Sequence, residues 1–349
     1  MVFPNTDYYV IAVKDGYVQY KSTTISVETE IVKFDVNMAQ VPHTERLSGL
    51  NRIDTAIQIA KATYTNKISN VILATSENFP DALTGSVLAY KLSAPILLVG
   101  SSDADQEKVL NYIKGYMDNS GTVYILGGTG AVNQAMEDKV AASGYSNIIR
   151  LGGADRYETA VKITDRLNVP KGTPIVLVSG ENYPDALSIS SAAAFNQYPI
   201  LIVKGNEIKD YILNEISYIK PSKIYIIGLQ GAVSLEAENK AAEAAGLDKT
   251  NVIRIGGADR YGTSLQVAKY FNLGGSLACV ATGTDFPDAL TGSVYAAKNK
   301  ASVLLINGLL TEEQLGYLKN SQLSGVTIFG GEGAVSKDTE QQLLDMYSK

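Results

Sequence analysis

Residues 71–99, VILATSENFPDALTGSVLAYKLSAPILLV, decide the fold. Val71-Ile-Leu-Ala-Thr75 and Pro95-Ile-Leu-Leu-Val99 are short apolar runs without the alternation of a half-exposed strand, so both predict strands buried on two faces. Between them Pro80 opens a stretch that reads as helix to Leu92. Proline suits the first helical position, where the missing N–H would have no intrahelical partner. Reading outward, residues 104–118 predict a helix, Val123-Tyr-Ile-Leu126 a third strand, and Asn133 to Ser143 a further helix. The short run Asn147-Ile-Ile149 reads as a fourth strand, with the helix after Arg156 closing the unit. Strands alternating with helices imply a parallel sheet covered on both faces.

This unit recurs. Arg46-Leu-Ser-Gly49-Leu-Asn51-Arg52-Ile-Asp54-Thr55-Ala56 returns from Arg150 to Ala160 and again from Arg254 to Ser264, a spacing of 104 residues each time. Asn78-Phe-Pro-Asp-Ala-Leu83 returns at Asn182–Leu187 and Asp285–Leu290, and Gly127-Gly-Thr-Gly-Ala-Val132 at Gly228–Val233 and Gly330–Val335. Three motifs in one order, three times over, mark three copies of one α/β unit. The period is far above the ~20–50 residues of solenoid repeats, so each copy is expected to be a small domain. The boundaries expected are 46–147, 148–251 and 252–349, after an N-terminal segment 1–45. Within that segment, residues 9–13 and 22–28 predict two strands around Lys14-Asp15-Gly16. They resemble the last hairpin of a sandwich domain such as fibronectin type III. The segment reads either as the remnant of a longer protein or as a cap on the next domain.

Composition excludes several function classes. Among 349 residues there are 30 Lys+Arg and 36 Asp+Glu, a net charge of −6, where a general nucleic-acid binder carries a basic excess. One His (His43) and one Cys (Cys279) leave no intrachain disulfide, no Cys/His zinc site and no two-His metal centre. A catalytic role for His43 would conflict with the threefold pattern, since the residue has no second copy. Cys279 lies in an apolar run and reads as a buried thiol. No apolar run approaches the ~20 residues of a membrane helix, and no signal peptide is visible. No cofactor is called for: Gly-x-Gly-x-x-Gly and the Walker A sequence are absent, which argues against a nucleotide-binding protein.

The three motifs, in this order and spacing from residue 46 to 349, resemble the type 2 cell-wall-binding repeat of Gram-positive, especially clostridial, surface proteins. The resemblance implies three Rossmann- or toprim-like domains in pseudo-threefold packing. It also implies non-covalent anchoring to an anionic secondary polymer of the cell wall, an extracellular location, and S-layer or other surface proteins as neighbours. Such repeats are attached to a variable domain, which could be a wall hydrolase such as an N-acetylmuramoyl-L-alanine amidase lying outside this chain. No catalytic residue and no membrane insertion are expected of the repeats.

Six of the seven arginines (Arg46, Arg52, Arg150, Arg156, Arg254, Arg260) stand in the first motif, while Lys serves elsewhere. A guanidinium is planar and grips carboxylate or phosphate with two parallel hydrogen bonds, which an ammonium cannot do. Two roles remain open for these arginines: contact with the polymer's anionic groups, or a fixed internal ion pair repeated in each copy. Asn51, Asp155 and Asp259 precede helices and are expected to cap them. Asp81, Asp185 and Asp288 follow a strand and fall in a first helical turn, at the strand ends where open α/β sheets bind ligands. A carboxylate there would meet a sugar hydroxyl or a bridging cation such as Ca²⁺; a structural role is the alternative. Phe79, Tyr183 and Phe286 are candidates for stacking on sugar rings or for packing on the helices. The Gly127-Gly-Thr-Gly130 turns read as tight strand-to-helix connections whose amides could also cradle a phosphate.

Overall fold

The structure, a computed structural model, describes residues 6–14, 19–27, 33, 35–36, 38 and 43–346. The N-terminal strands are β1 (Thr6–Tyr8), β2 (Ile11–Ala12), β3 (Tyr20–Lys21) and β4 (Ile25–Val27). They form two antiparallel pairs, β1 with β4 and β2 with β3. The single hairpin expected at 9–13 and 22–28 is thus interrupted. At the break the Val10 N–H donates to the Ser22 hydroxyl at 2.8 Å, in place of a ladder bond. Asp15 and Gly16 of the expected turn lie outside the described residues.

The repeated part begins with β5 (His43–Leu47) and α1 (Arg52–Thr63). The first copy continues as β6 (Ile68–Thr75), α2 (Pro80–Lys91), β7 (Ile96–Val99), α3 (Asp103–Tyr116), β8 (Met117–Leu126) and α4 (Gln134–Ala142). The second runs β9 (Asn147–Leu151), α5 (Arg156–Leu167), β10 (Ile175–Ser179), α6 (Pro184–Asn196), β11 (Ile200–Val203), α7 (Asp210–Ile219), β12 (Ile224–Ile227) and α8 (Leu235–Ala245). The third runs β13 (Val252–Ile255), α9 (Arg260–Phe271), β14 (Leu277–Thr282), α10 (Pro287–Lys298), β15 (Val303–Ile306), α11 (Glu312–Asn320), β16 (Gly325–Phe329) and α12 (Lys337–Asp345).

Three four-stranded sheets result, in the orders β7-β6-β8-β9, β11-β10-β12-β13 and β15-β14-β16-β5, with every pairing parallel. Each sheet takes its fourth strand from the opening of a motif: β9 completes the first sheet and β13 the second. The third is completed by β5, from the start of the repeated part, in the register Gly325 with His43 to Phe329 with Leu47. The helix after each such strand covers a different sheet: α1 packs on β7, α5 on β11 and α9 on β15. The array therefore closes on itself.

At its centre α2, α6 and α10 pack against one another. They are buried almost all round, which explains their runs of Ala, Ser, Thr and Leu in place of an amphipathic pattern. Two of them approach the sheet at glycine. A Cβ on Gly292 would lie 2.3 Å from Phe329 Cδ2, and one on Gly85 2.2 Å from Leu126 Cδ1. A large side chain on the strand thus fills the place of a missing one on the helix. The strands β7, β11 and β15 are buried along their whole length, as their apolar runs predict.

The expected caps form. Asn51 Oδ1 accepts from the amides of Ile53 (3.0 Å) and Asp54 (2.9 Å), Asp155 Oδ1 from Glu158 (2.8 Å), and Asp259 Oδ1 from Tyr261 (3.0 Å) and Gly262 (2.7 Å). Each satisfies helix-start amides that have no partner inside the helix.

Candidate functional site

The loops at the carboxyl ends of the strands bring the three motifs together. In the first unit Glu77, Asn78, Pro80 and Asp81, with Gly128 to Ala131 and Gly153 to Arg156, line one cleft of about 570 Å³. In the second, Asn182, Asp185, Leu229, Gly231, Asp259 and Arg260 line its counterpart, of about 310 Å³. Each cleft draws its aspartate from one copy and its arginine from the next, so neither is complete within a single repeat.

The six arginines divide into two sets. Arg46, Arg150 and Arg254 lie on the fourth strands and pair with Glu340 (2.8 Å), Glu137 (2.7 Å) and Glu238 (2.5 Å) on α12, α4 and α8. Each also donates to a carbonyl of the glycine turn: Gly330 O at 2.8 Å, Gly127 O at 3.1 Å and Gly228 O at 3.0 Å. Their side chains are only 14–18% exposed. This set ties strand, turn and helix together within one sheet unit. The acidic partners were missed in the sequence, although each glutamate stands five residues after the Val of Gly-Ala-Val (Val132, Val233, Val335).

Arg52, Arg156 and Arg260 are the first residues of α1, α5 and α9. Their Nη1 atoms donate to the carbonyls of Ser76 (2.7 Å), Gly180 (2.6 Å) and Gly283 (2.7 Å). Each guanidinium also lies over an aromatic ring of another copy: Arg156 over Phe79 (5.9 Å), Arg260 over Tyr183 (5.6 Å) and Arg52 over Phe286 (5.6 Å). The three rings form a triangle with centroids 5.7, 6.0 and 6.3 Å apart. Phe79 and Phe286 are buried in it, so the rings pack on each other rather than presenting open faces. Among the described residues no carboxylate lies within 4 Å of Arg156 or Arg260, while Arg52 Nη2 meets Asp285 Oδ2 at 3.0 Å.

The cleft aspartates are held in the low-dielectric floor. Burial pushes Asp81 up to about 6 against the pull of the Arg156 charge. Burial also raises Asp185, opposed by Thr263 and Arg260. Asp288 is raised to about 6, first by burial and then by the neighbouring Asp285 carboxylate, with Arg52 acting in the other direction. Each aspartate lies against the first glycine of the turn. A Cβ on Gly127, Gly228 or Gly330 would sit 2.3 Å from Oδ2 of Asp81, Asp185 or Asp288. These glycines also have φ of +92°, +97° and +102°, where an L side chain is strained. The motif glycine therefore answers both to the turn and to the aspartate.

The remaining candidates fall outside the clefts. His43 is exposed at the start of β5, and Cys279 is fully buried on β14, its thiol pushed up by burial. Asp54 pairs with Lys108 at 2.9 Å. Among the described residues no group of three or more His, Cys, Asp or Glu could hold a metal ion, and no helix is long and apolar enough to cross a membrane.

Comparison with known proteins agrees with this geometry. The family described as cell wall binding domain 2 (CWB2) matches residues 46–137, 150–238 and 254–340. The N-acetylmuramoyl-L-alanine amidase LytC of Bacillus subtilis is 30% identical over 300 residues, covering 86% of this chain and 58% of the relative. The amidase enhancer of the same organism is 26% identical over 334 residues, covering 95% of this chain and 44% of the enhancer. The chain thus spans about half the length of the curated relatives it matches. Among solved structures, Cwp6 from Clostridium difficile superposes with a TM-score of 0.81 at 25% identity, over 93% of this chain and 52% of Cwp6. Cwp8 from the same species gives 0.77 at 27% identity, over 87% of this chain and 51% of Cwp8. With three matched segments, each supplying three strands of one parallel sheet, the chain belongs to the cell wall binding domain 2 family, of which it carries three copies.

Proposed function

We propose that the chain is a non-catalytic module that holds a protein on the bacterial cell wall by binding an anionic secondary wall polymer at the repeated arginine sites beside its strand ends. The observation that carries this reading is the second arginine set. Arg156 and Arg260 each place a guanidinium in a cleft with no carboxylate within 4 Å among the described residues. A guanidinium fixed by a backbone carbonyl and an aromatic face is preorganised for an anion. The chain as a whole carries −6, so attraction to an anionic polymer has to be local, within the ~10 Å over which salt screens exposed charges.

Repetition suits a polymer. Several weak sites on one closed body gain affinity through effective concentration when a single strand reaches more than one of them. In this proposal Arg52, Arg156 and Arg260 meet the polymer's anionic groups, with Asp81, Asp185 and Asp288 accepting from its hydroxyls. Arg46, Arg150 and Arg254 shape the cleft through the glycine turns. Nucleic acid and membrane lipid are not its partners, and surface-layer proteins are its neighbours. The match to an amidase and an amidase enhancer supports a further part of the proposal: the activity anchored is that of a wall hydrolase, carried by residues outside this chain.

Co-sedimentation of the purified chain with Gram-positive walls tests the reading, before and after acid removes the anionic polymers. Binding that disappears with the polymer is expected. Binding unchanged by stripping would move the ligand to peptidoglycan, and no binding to either preparation would overturn the anchoring function.

A further inference from the structure

The three arginine sites at the starts of α1, α5 and α9 are not equivalent, and one side chain sets the Arg52 site apart. Asp285 stands at the motif position that Asn78 and Asn182 hold in the other copies. All three positions precede the aromatic ring beneath an arginine. Where Arg156 lies over Phe79 and Arg260 over Tyr183, the residue at this position is a neutral amide, and the nearby Glu77 and Glu181 make no ion pair with either arginine within 4 Å among the described residues. Arg52 lies over Phe286 beside a carboxylate and pairs with it at 3.0 Å.

We infer that Asp285 is a built-in occupant of the third anion site, so that the chain offers two open arginines, Arg156 and Arg260, and one closed, Arg52. This rests on the reading of the clefts as anion sites and adds a rank order to it. Asp285 is fixed where it competes. Its Oδ1 accepts from the Phe286 amide at 2.8 Å, which aims Oδ2 at the guanidinium. Asn78 Oδ1 makes the same bond to the Phe79 amide at 3.0 Å, so an amide at this position keeps the local fold and leaves only the arginine uncovered. Because the competing carboxylate is tethered, any external anion meets it at high effective concentration. The pair is partly exposed, at 37% and 49% of the two side chains, so its bias is modest. Ion pairs in such settings shift an equilibrium by at most about fivefold.

The test uses the whole chain and inorganic phosphate as probe, followed by NMR of the arginine Nε–Hε signals. In the unmodified protein Arg156 and Arg260 are expected to respond at lower phosphate than Arg52. In Asp285→Asn the Arg52 midpoint is expected to fall by about two- to fivefold to join them. In Asn182→Asp the Arg260 midpoint is expected to rise by a similar factor. An Arg52 that responds together with Arg156 and Arg260 in the unmodified protein would overturn the inference. So would an Arg52 midpoint unmoved in Asp285→Asn, or the absence of any arginine response. Wall co-sedimentation of the unmodified protein reports separately on anchoring, so failure of the rank order and failure of the anchoring function give different results.

Discussion

Arg46 and Glu340, 294 positions apart in the chain, form the ion pair that Arg150 makes with Glu137 and Arg254 with Glu238. The first two guanidinium nitrogens approach one oxygen, Nη2 at 2.8 Å and Nε at 3.3 Å, while Nη1 holds the Gly330 carbonyl. This pair fastens β5 to the third unit. Arg46→Ala removes charge-assisted bonds at a site largely shielded from water, and about 2–3 kcal/mol of stability should go with them. Urea unfolding of the variant checks this; an unchanged midpoint would deny the clasp its energetic role.

Removing residues through Leu47 should have a different effect from substituting Arg46. It would leave β16 as a bare parallel edge carrying the buried residues Val326, Ile328 and Phe329. Unpaired apolar edges recruit other chains, so size-exclusion chromatography should show association or precipitation. A well-behaved monomer would mean that the edge finds another cover.

Gly127→Ala should destabilise by about 1–3 kcal/mol from the backbone alone, since φ is +92°. The Cβ would also collide with Asp81 Oδ2. Pairing it with Asp81→Ala should recover the steric part and not the backbone part. A double-mutant cycle read by thermal unfolding separates the two, and strict additivity would mean that the carboxylate does not press on the glycine.

In the core, Phe329→Ala should cost about 3–5 kcal/mol, because the ring fills the space left by Gly292. Gly292→Ala should also destabilise, for the opposite reason. Phe329→Leu combined with Gly292→Ala should regain part of the loss, since it copies neither overpacking nor cavity. Calorimetry of the three variants decides it.

Asp81 and Asp288 both sit near 6 in the folded protein, above the ordinary carboxylate range near 4. A raised folded value means the folded state holds its proton longer than the unfolded chain does. Their contribution is therefore complete below about pH 4 and is lost as pH rises through about 6. Asp81→Asn and Asp288→Asn should flatten the fall in stability across that window. Protonating Asp81 also removes a negative charge from beside Arg156, so wall binding should strengthen from pH 7 to pH 5. Unfolding and co-sedimentation as functions of pH check both.

Much of this was legible in the sequence. Fully apolar runs such as Pro95–Val99 announced strands buried on both faces, and Asn51, Asp155 and Asp259 announced helix starts. The threefold repetition announced units of one design. Partner choice was harder. Nothing local says that Arg46 will find Glu340, because that depends on β5 lying beside β16, a matter of strand order. Nor does spacing tell which ring an arginine covers, since Arg156 reaches Phe79 across a unit boundary. The role of Gly127 was half legible: the turn was foreseen, the pressing aspartate was not. At the N-terminus a smooth strand pattern concealed the bridge through Ser22.

The strand loan from motif to sheet has an arithmetic consequence. Every copy gives its first strand to a neighbouring sheet and keeps the following helix on its own, an exchange that completes only around a loop. The central triangle of Phe79, Tyr183 and Phe286 has three corners, and each is filled. A two-copy chain would leave a sheet lacking its outer strand, and a four-copy chain would have no corner for the extra ring. Three is accordingly a stereochemical number for this body, so growth or loss in such proteins should proceed by whole sets of three copies and not by single ones.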